Sequence, residues 1–226
     1  METRFTNNYR AIEDEADSLI DHYERKFGPI NSLFTPVEII AEQLLEIRID
    51  LSDLEDDIIG CIDVINKEIY INRSLDPIVN KKMEGRYNFT LAHEMGHLVL
   101  HKDLVEQSSI AAPGKSNNLL CRTSENKAPI EKQADYFAGC LLMPRKKLWE
   151  TLKDKTGGYN TLRSISRINK TRETNICIWS IDSYDGYDGD GVLEEFYSSL
   201  ANDFKVSPLA MVIRLKQIGH IIKPRY

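Results

Sequence analysis

No apolar run in this 226-residue sequence approaches the ~20 residues of a membrane-spanning helix, so membrane proteins of that kind are excluded. The opening residues, Met1-Glu2-Thr3-Arg4-Phe5, lack the basic-then-apolar order of a signal peptide. The expectation is a cytoplasmic protein with no membrane partner. Cysteine is sparse. Cys61, Cys121, Cys140 and Cys177 are widely spaced and form no C-x-x-C pair, which reads as reduced, mostly buried thiols. A cysteine-based zinc site would need closer pairs. Basic excess is also lacking: the net charge is −6, which argues against nucleic-acid binding by the whole surface, although a small basic patch stays open. There is no internal repeat and no low-complexity tract. What is present, 42% apolar and 28% charged residues, is the composition of a globular protein with one large domain or two small ones.

The most informative stretch is Thr90-Leu91-Ala92-His93-Glu94-Met95-Gly96-His97-Leu98-Val99-Leu100-His101. Its centre reads H-E-x-x-H. Two histidines four apart on a helix project from one face, and two imidazole nitrogens make half of a tetrahedral zinc shell. Glu94 sits beside such a metal, where a carboxylate can take a proton from an attacking water. Phe89, Leu91, Ala92, Leu98, Val99 and Leu100 imply that the helix is buried. Buried histidines and a glutamate need a compensating partner, and a metal is the natural one.

Two histidines leave the shell incomplete. On a straight helix His101 lies about 12 Å along the axis from His93, too far for three histidines to converge on ligand bonds of about 2 Å. His101 therefore reads as a helix-end residue favoured by the dipole. Glu131 is the better third ligand, at the start of a later helix. Asp135, one turn along the same face, is placed to accept the outer N–H of a ligating histidine and fix its tautomer. The plainer alternative is that Glu131 and Asp135 are helix N-terminal acids.

Around this centre the chain alternates helices and strands. Residues 7–27 read as an amphipathic helix ended by Gly28-Pro29, with His22 at its surface. Thr35-Pro36-Val37-Glu38 reads as N-cap, first-turn proline and capping-box glutamate of a helix to about Leu45. Segments 46–51, 57–64 and 68–72 read as strands of an antiparallel sheet, with a turn at Asn66-Lys67. An exposed edge of that sheet would accept an extended peptide, unless a loop covers it. The histidine helix is expected over 84–101. A turn-rich loop is expected over 105–128, and helices over 129–143 and 145–153. Further on, 176–181 reads as a strand, and 192–204 and 207–218 as helices, the last capped by Ser207-Pro208. The segment Asp185-Gly186-Tyr187-Asp188-Gly189-Asp190-Gly191 invites a calcium reading. It fails the EF-hand pattern, which needs Gly where Asp190 stands.

The run from Phe89 to His97, then Glu131, Ala134, Asp135, Phe137 and Ala138, then Leu141-Leu142-Met143-Pro144, resembles the ImmA/IrrE family of metallopeptidases. So do Ile69-Tyr70-Ile71-Asn72 upstream and Val206-Ser207 with Ala210, Arg214 and Leu215 near the end. The resemblance covers most of residues 35–150 and again about 190–220, while 155–190 reads as an insertion. It implies an α+β class protein with a minimal zincin-like metalloprotease fold. Helices would pack on a short, mostly antiparallel sheet, and a smaller C-terminal helical extension would follow. Residues 1–150 would be the catalytic domain with its N-terminal helix. Residues 151–226 would be the extension, a strand or hairpin plus two helices.

Carried over to this chain, the resemblance makes His93, His97 and Glu131 metal ligands, Glu94 the general base and Asp135 the group behind the ligands. Zinc suits the His₂Glu set, with manganese or another divalent metal able to take its place. The implied function is cleavage of a helix-turn-helix transcriptional repressor, as an antirepressor of a mobile element or stress response. Two other readings stand beside it. One is a non-proteolytic antirepressor or toxin–antitoxin component that only binds its repressor. The other is a DNA-binding regulator using Arg214, Lys216, Lys223 and Arg225, against which the acidic charge weighs and the apolar spacing of Leu209, Val212, Ile213 and Leu215 reads as core. For the hydrogen bond to a developing oxyanion, Tyr136, Tyr159 and His101 are the candidates.

Overall fold

The structure is a computed structural model that describes residues 8–55, 58–111, 129–155 and 191–219. The expected loop tip at 112–128, the basic run and strand within 156–181, the glycine–aspartate segment up to Asp190, Tyr159, Lys223 and Arg225 lie outside the described residues. Among the described residues, no helix is long and apolar enough to cross a membrane. The chain divides into two compact units, residues 1–142 and 143–226.

The first unit begins with α1 (Tyr9–Phe27), capped by the Asn8 side chain, which accepts from the Ala11 N–H at 3.1 Å. It ends at Gly28, whose φ of 94° suits a residue without Cβ. Ile12, Ala16 and Leu19 form its buried stripe, which packs on α4, while His22 is exposed. The next helix, α2, starts at Val37–Ile39 and widens into a π turn over Ile40–Leu44, closed by Leu45 N–H donating to Ile40. The expected capping box does not form here. The Thr35 hydroxyl instead donates to the Leu141 carbonyl at 2.8 Å, and the Glu38 carboxylate pairs with the buried Tyr87 hydroxyl. Long-range partners outcompete local capping because both hydroxyls are buried and each needs a bond.

Strands β1 (Arg48–Ser52), β2 (Gly60–Asp63) and β3 (Glu68–Asn72) form one sheet in the order β1-β3-β2. The sheet is mixed, not mostly antiparallel. β2 and β3 form an antiparallel hairpin, but β1 runs parallel to β3 on its other side. Asp63 closes the hairpin turn by accepting from the Ile65 and Asn66 N–H groups, and Lys67 takes φ 53°. Local pairing determines the hairpin; which edge of β3 receives β1 is a long-range choice that strand spacing does not encode. Both β1 and β2 are edge strands: the four residues of β2 are buried, while β1 carries exposed and half-buried residues.

Helix α3 (Glu84–Ala111) carries the histidines and packs on β2, β3 and α4 (Pro129–Leu142). It runs ten residues past the expected end. The serines at 108–109 read as turn residues, but no Gly or Pro intervenes until Pro113, and a helix is expected to stop before a proline.

The second unit contains α5 (Arg145–Lys155), α6 (Gly191–Asp203) and α7 (Pro208–Gln217). Leu148, Leu152, Leu200, Phe204, Met211 and Leu215 are buried in it. Ser207 caps α7 as expected, accepting from the Ala210 N–H at 3.2 Å. Arg214 is 1% exposed and donates to the Met143 carbonyl, so it is structural and unavailable to nucleic acid. Leu209 and Ile213, by contrast, are exposed and do not join the core.

The packing of α3 on α4 depends on Gly96. A Cβ there would lie 3.2 Å from Ala134 Cα and 3.1 Å from the Phe137 ring, tighter than ordinary contact. Gly96→Ala gains about 1 kcal/mol of helix propensity but overpacks against backbone, at about 1–3 kcal/mol. The expected outcome is a net loss of about 1 kcal/mol, read as a lower urea midpoint at unchanged m-value; a stabilised variant would show that the interface yields freely.

Candidate metal centre

The apolar residues on either side of the H-E-x-x-H motif bury its helix, so the motif lies in the interior. His93, Glu94, His97 and His101 are each 1% exposed or less. One helical turn separates each successive histidine, and the ring centroids stand 4.8 Å (His93–His97) and 5.3 Å (His97–His101) apart. From the facing helix, the first turn of α4 brings Glu131 to the first pair. Its carboxylate oxygens lie 3.2 Å from His93 Nε2 and 3.3 Å from His97 Nε2, and the two Nε2 atoms are 3.0 Å apart.

Those three spacings test whether a metal fits. Ligand bonds of about 2.0–2.1 Å in a tetrahedron put neighbouring ligand atoms about 3.3 Å apart. The two Nε2 atoms are 3.0 Å apart, and each lies at about that spacing from one carboxylate oxygen, His93 at 3.2 Å from Oε2 and His97 at 3.3 Å from Oε1, so either oxygen could complete a shared ligand set. Two neutral-nitrogen donors and a carboxylate are also the donor chemistry that a divalent zinc-like ion accepts. The residues fit. Among the described residues, His93, His97 and Glu131 form the group of potential ligands close enough to share an ion.

Behind the triangle, His93 Nδ1 is 2.9 Å from Asp135 Oδ1, the contact expected from the E-x-x-x-D spacing. His101 behaves differently from its expected role. It is neither at a helix end nor a member of the triangle. Its Nδ1 lies 3.2 Å from His97 Nδ1 and its Nε2 lies 2.8 Å from Gln133 Oε1, which also removes it as an oxyanion donor. Sequence reasoning missed Gln133 because it sits two residues from both Glu131 and Asp135, and i,i+2 positions do not share a face on an ideal helix. Tyr136 packs its ring on Tyr9, with centroids 4.7 Å apart.

Glu94 is held from the sheet side. Gly60, at the start of β2, lies so close that a Cβ would fall 2.5 Å from Thr90 Cγ2 and 3.0 Å from Glu94 Oε1. A glycine is required there by space rather than by its backbone angles. Sequence patterning registers only an isolated glycine at a strand start, which is a weak hint of close approach.

Burial also sets the charge state. It lowers the His97 pKa to about 4, outweighing the Glu131 carboxylate, which acts to raise it. Burial lowers His101 as well. Burial acts to raise Glu131, but the two imidazoles outweigh it and hold the carboxyl well below its ordinary range. At neutral pH the site therefore offers uncharged His97 and His101 with an ionised Glu131, the states that metal ligation needs.

These shifts carry a stability consequence. The unfolded chain binds a proton at His97 near pH 6.5, whereas the folded chain resists until about 4. Stability of the metal-free protein should therefore fall as pH drops through that window, by up to about 3 kcal/mol from His97. His101 and Glu131 act in the same direction, because depressed folded pKa values lose stability on acidification. Urea midpoints in chelator between pH 7.5 and 4.5 check this, and a His97→Leu protein should show a shallower slope.

With the geometry in place, comparison with known proteins is informative. Residues 35–163 match the model of the IrrE N-terminal-like domain, a peptidase family. No curated protein matches the chain. Among solved structures, a Mycobacterium tuberculosis transcriptional regulator is similar at 16% identity with a TM-score of 0.49, over 94% of this chain and 49% of that one. The chain thus spans about half the length of that protein. The matched family segment contains the histidine helix, the sheet and Glu131, and it extends over more than half of the sequence; the chain belongs to the IrrE N-terminal-like family of metallopeptidases.

Proposed function

We propose that this protein is a zinc-dependent endopeptidase that cleaves a helix-turn-helix transcriptional repressor and so relieves repression. The observation that carries the catalytic half is the triangle of His93, His97 and Glu131, at ligand spacing with Glu94 buried beside it. The substrate half rests on the resemblance of residues 35–150 and 190–220 to repressor-cleaving relatives.

His93, His97 and Glu131 would hold the metal, leaving a fourth position for the reaction. When bound, zinc supplies Lewis acidity that makes an attacking water acidic near neutrality and polarises the scissile carbonyl. Glu94 accepts the proton from that water and orients it toward the carbonyl. It then delivers the proton to the leaving amine as the C–N bond breaks. Asp135 accepts from His93 Nδ1–H, which fixes the ring so that Nε2 carries the lone pair. Manganese or another divalent ion could serve on the same donors.

The test uses the full chain, zinc and the helix-turn-helix repressor encoded nearest to it. Wild type should cut the repressor, and Glu94→Gln should lose at least about 10²-fold in cleavage rate while binding zinc as before. Retained cleavage by Glu94→Gln would remove Glu94 as the base. Relief of repression by that variant, with the repressor intact, would favour a binding antirepressor over a protease.

A further inference from the structure

Beyond the ligand triangle, a chain of buried polar contacts continues from His97 through His101 to Gln133. All three residues are within a few per cent of full burial, and the catalytic scheme uses neither of the last two. Each contact shares a proton, so the chain has only two self-consistent arrangements.

In one, the Gln133 carbonyl accepts from His101 Nε2–H. The neutral His101 ring then has a bare Nδ1, which accepts from His97 Nδ1–H. The neutral His97 ring is left with a bare Nε2, the atom that faces His93 Nε2 and Glu131. In the other, the Gln133 amide donates, each proton moves to the opposite nitrogen, and His97 carries its proton on Nε2. That proton would point into the triangle and occupy the lone pair a metal needs. The structure has the Gln133 oxygen, not the nitrogen, at 2.8 Å from His101.

We propose that Gln133 and His101 are positioning residues that lock His97 in its Nδ1–H tautomer, so that Nε2 is preset as a metal donor. This rests on the metal-centre reading above. It assigns to His97 a two-residue counterpart of the Asp135 contact on His93. One ligand is thus oriented by an anion and the other by a neutral relay through an amide. The neutral relay suits its place: a second carboxylate behind His97 would add an anion to a pocket that already holds Glu94, Glu131 and Asp135.

Two measurements test the relay. The first is the ¹⁵N–¹H long-range spectrum of the histidines in metal-free wild type, which distinguishes the tautomers directly. His97 should carry its proton on Nδ1, and a proton on Nε2 would overturn the proposal. The second is zinc affinity by chelator competition in Gln133→Met and Gln133→Glu. Methionine keeps the volume but cannot accept strongly, and should weaken zinc binding by about 10–100-fold. Glutamate keeps an oxygen that can accept from His101 and should bind zinc more tightly than the methionine variant. A merely structural Gln133 predicts lowered melting temperatures for both variants with zinc affinity unchanged, and that result would also overturn the relay. Wild-type protein that takes up no zinc would sink the metal reading itself, and the tautomer spectrum would then decide the orientation of the chain by itself.

Discussion

Helices α3 and α4 meet where Gly96 faces Ala134, and the missing side chain sets how near they come. A Cβ at Gly96 would lie only 3.2 Å from backbone, so a larger residue would have to hold the two helices farther apart. Glu131 lies three residues before Ala134, almost one turn away. A glutamate side chain is short, so it reaches both imidazoles only because the helices approach this closely. The small residues at this crossing therefore position Glu131 against the histidines without touching them. The Thr35 hydroxyl bond to Leu141 anchors the far end of α4 to the segment before α2, and the buried stripe of α1 covers α4.

The polar interior follows from that crossing. Buried imidazoles and carboxylates are costly unless each polar atom has a partner. Here the partners divide by direction. Groups behind the rings, Asp135 for His93 and His101 with Gln133 for His97, take the outward nitrogens. The inward nitrogens and Glu131 face one another at ligand spacing. Together they are a donor set that a divalent ion could share. Metal affinity and folding stability are then linked, since an ion that binds only the folded chain stabilises it in proportion to the logarithm of its concentration.

Most of this centre was legible from sequence because its spacing is local. H-E-x-x-H on one helix and E-x-x-x-D on another each follow from 3.6 residues per turn, and the structure brings His93, His97, Glu131 and Asp135 together. The α+β class was legible for the same reason, from helical and alternating periodicities. What escaped were the features decided between elements. The edge of β3 on which β1 pairs, the diversion of Thr35 from its cap, and the burial of Arg214 all depend on partners distant in sequence. His101 was misread because its helix continues another ten residues, which removes the helix-end dipole argument.

Two glycines now take on related meaning. Gly96 faces α4 and Gly60 faces the other side of the same helix, where the start of β2 abuts Thr90 and Glu94. The motif helix is thus closely approached on two sides at residues with no side chain. On the α4 side, proximity delivers the Glu131 carboxylate to the two imidazoles. On the sheet side, it confines the carboxylate that would move the proton. A side chain at Gly60 has less freedom than one at Gly96, because Thr90 is β-branched and stiff in a helix and the overlap at 2.5 Å is more severe. Displacing Thr90 would rotate or shift the turn that carries Glu94. The placement of Glu94 thus depends on a strand residue some thirty positions away in sequence, with no chemistry of its own.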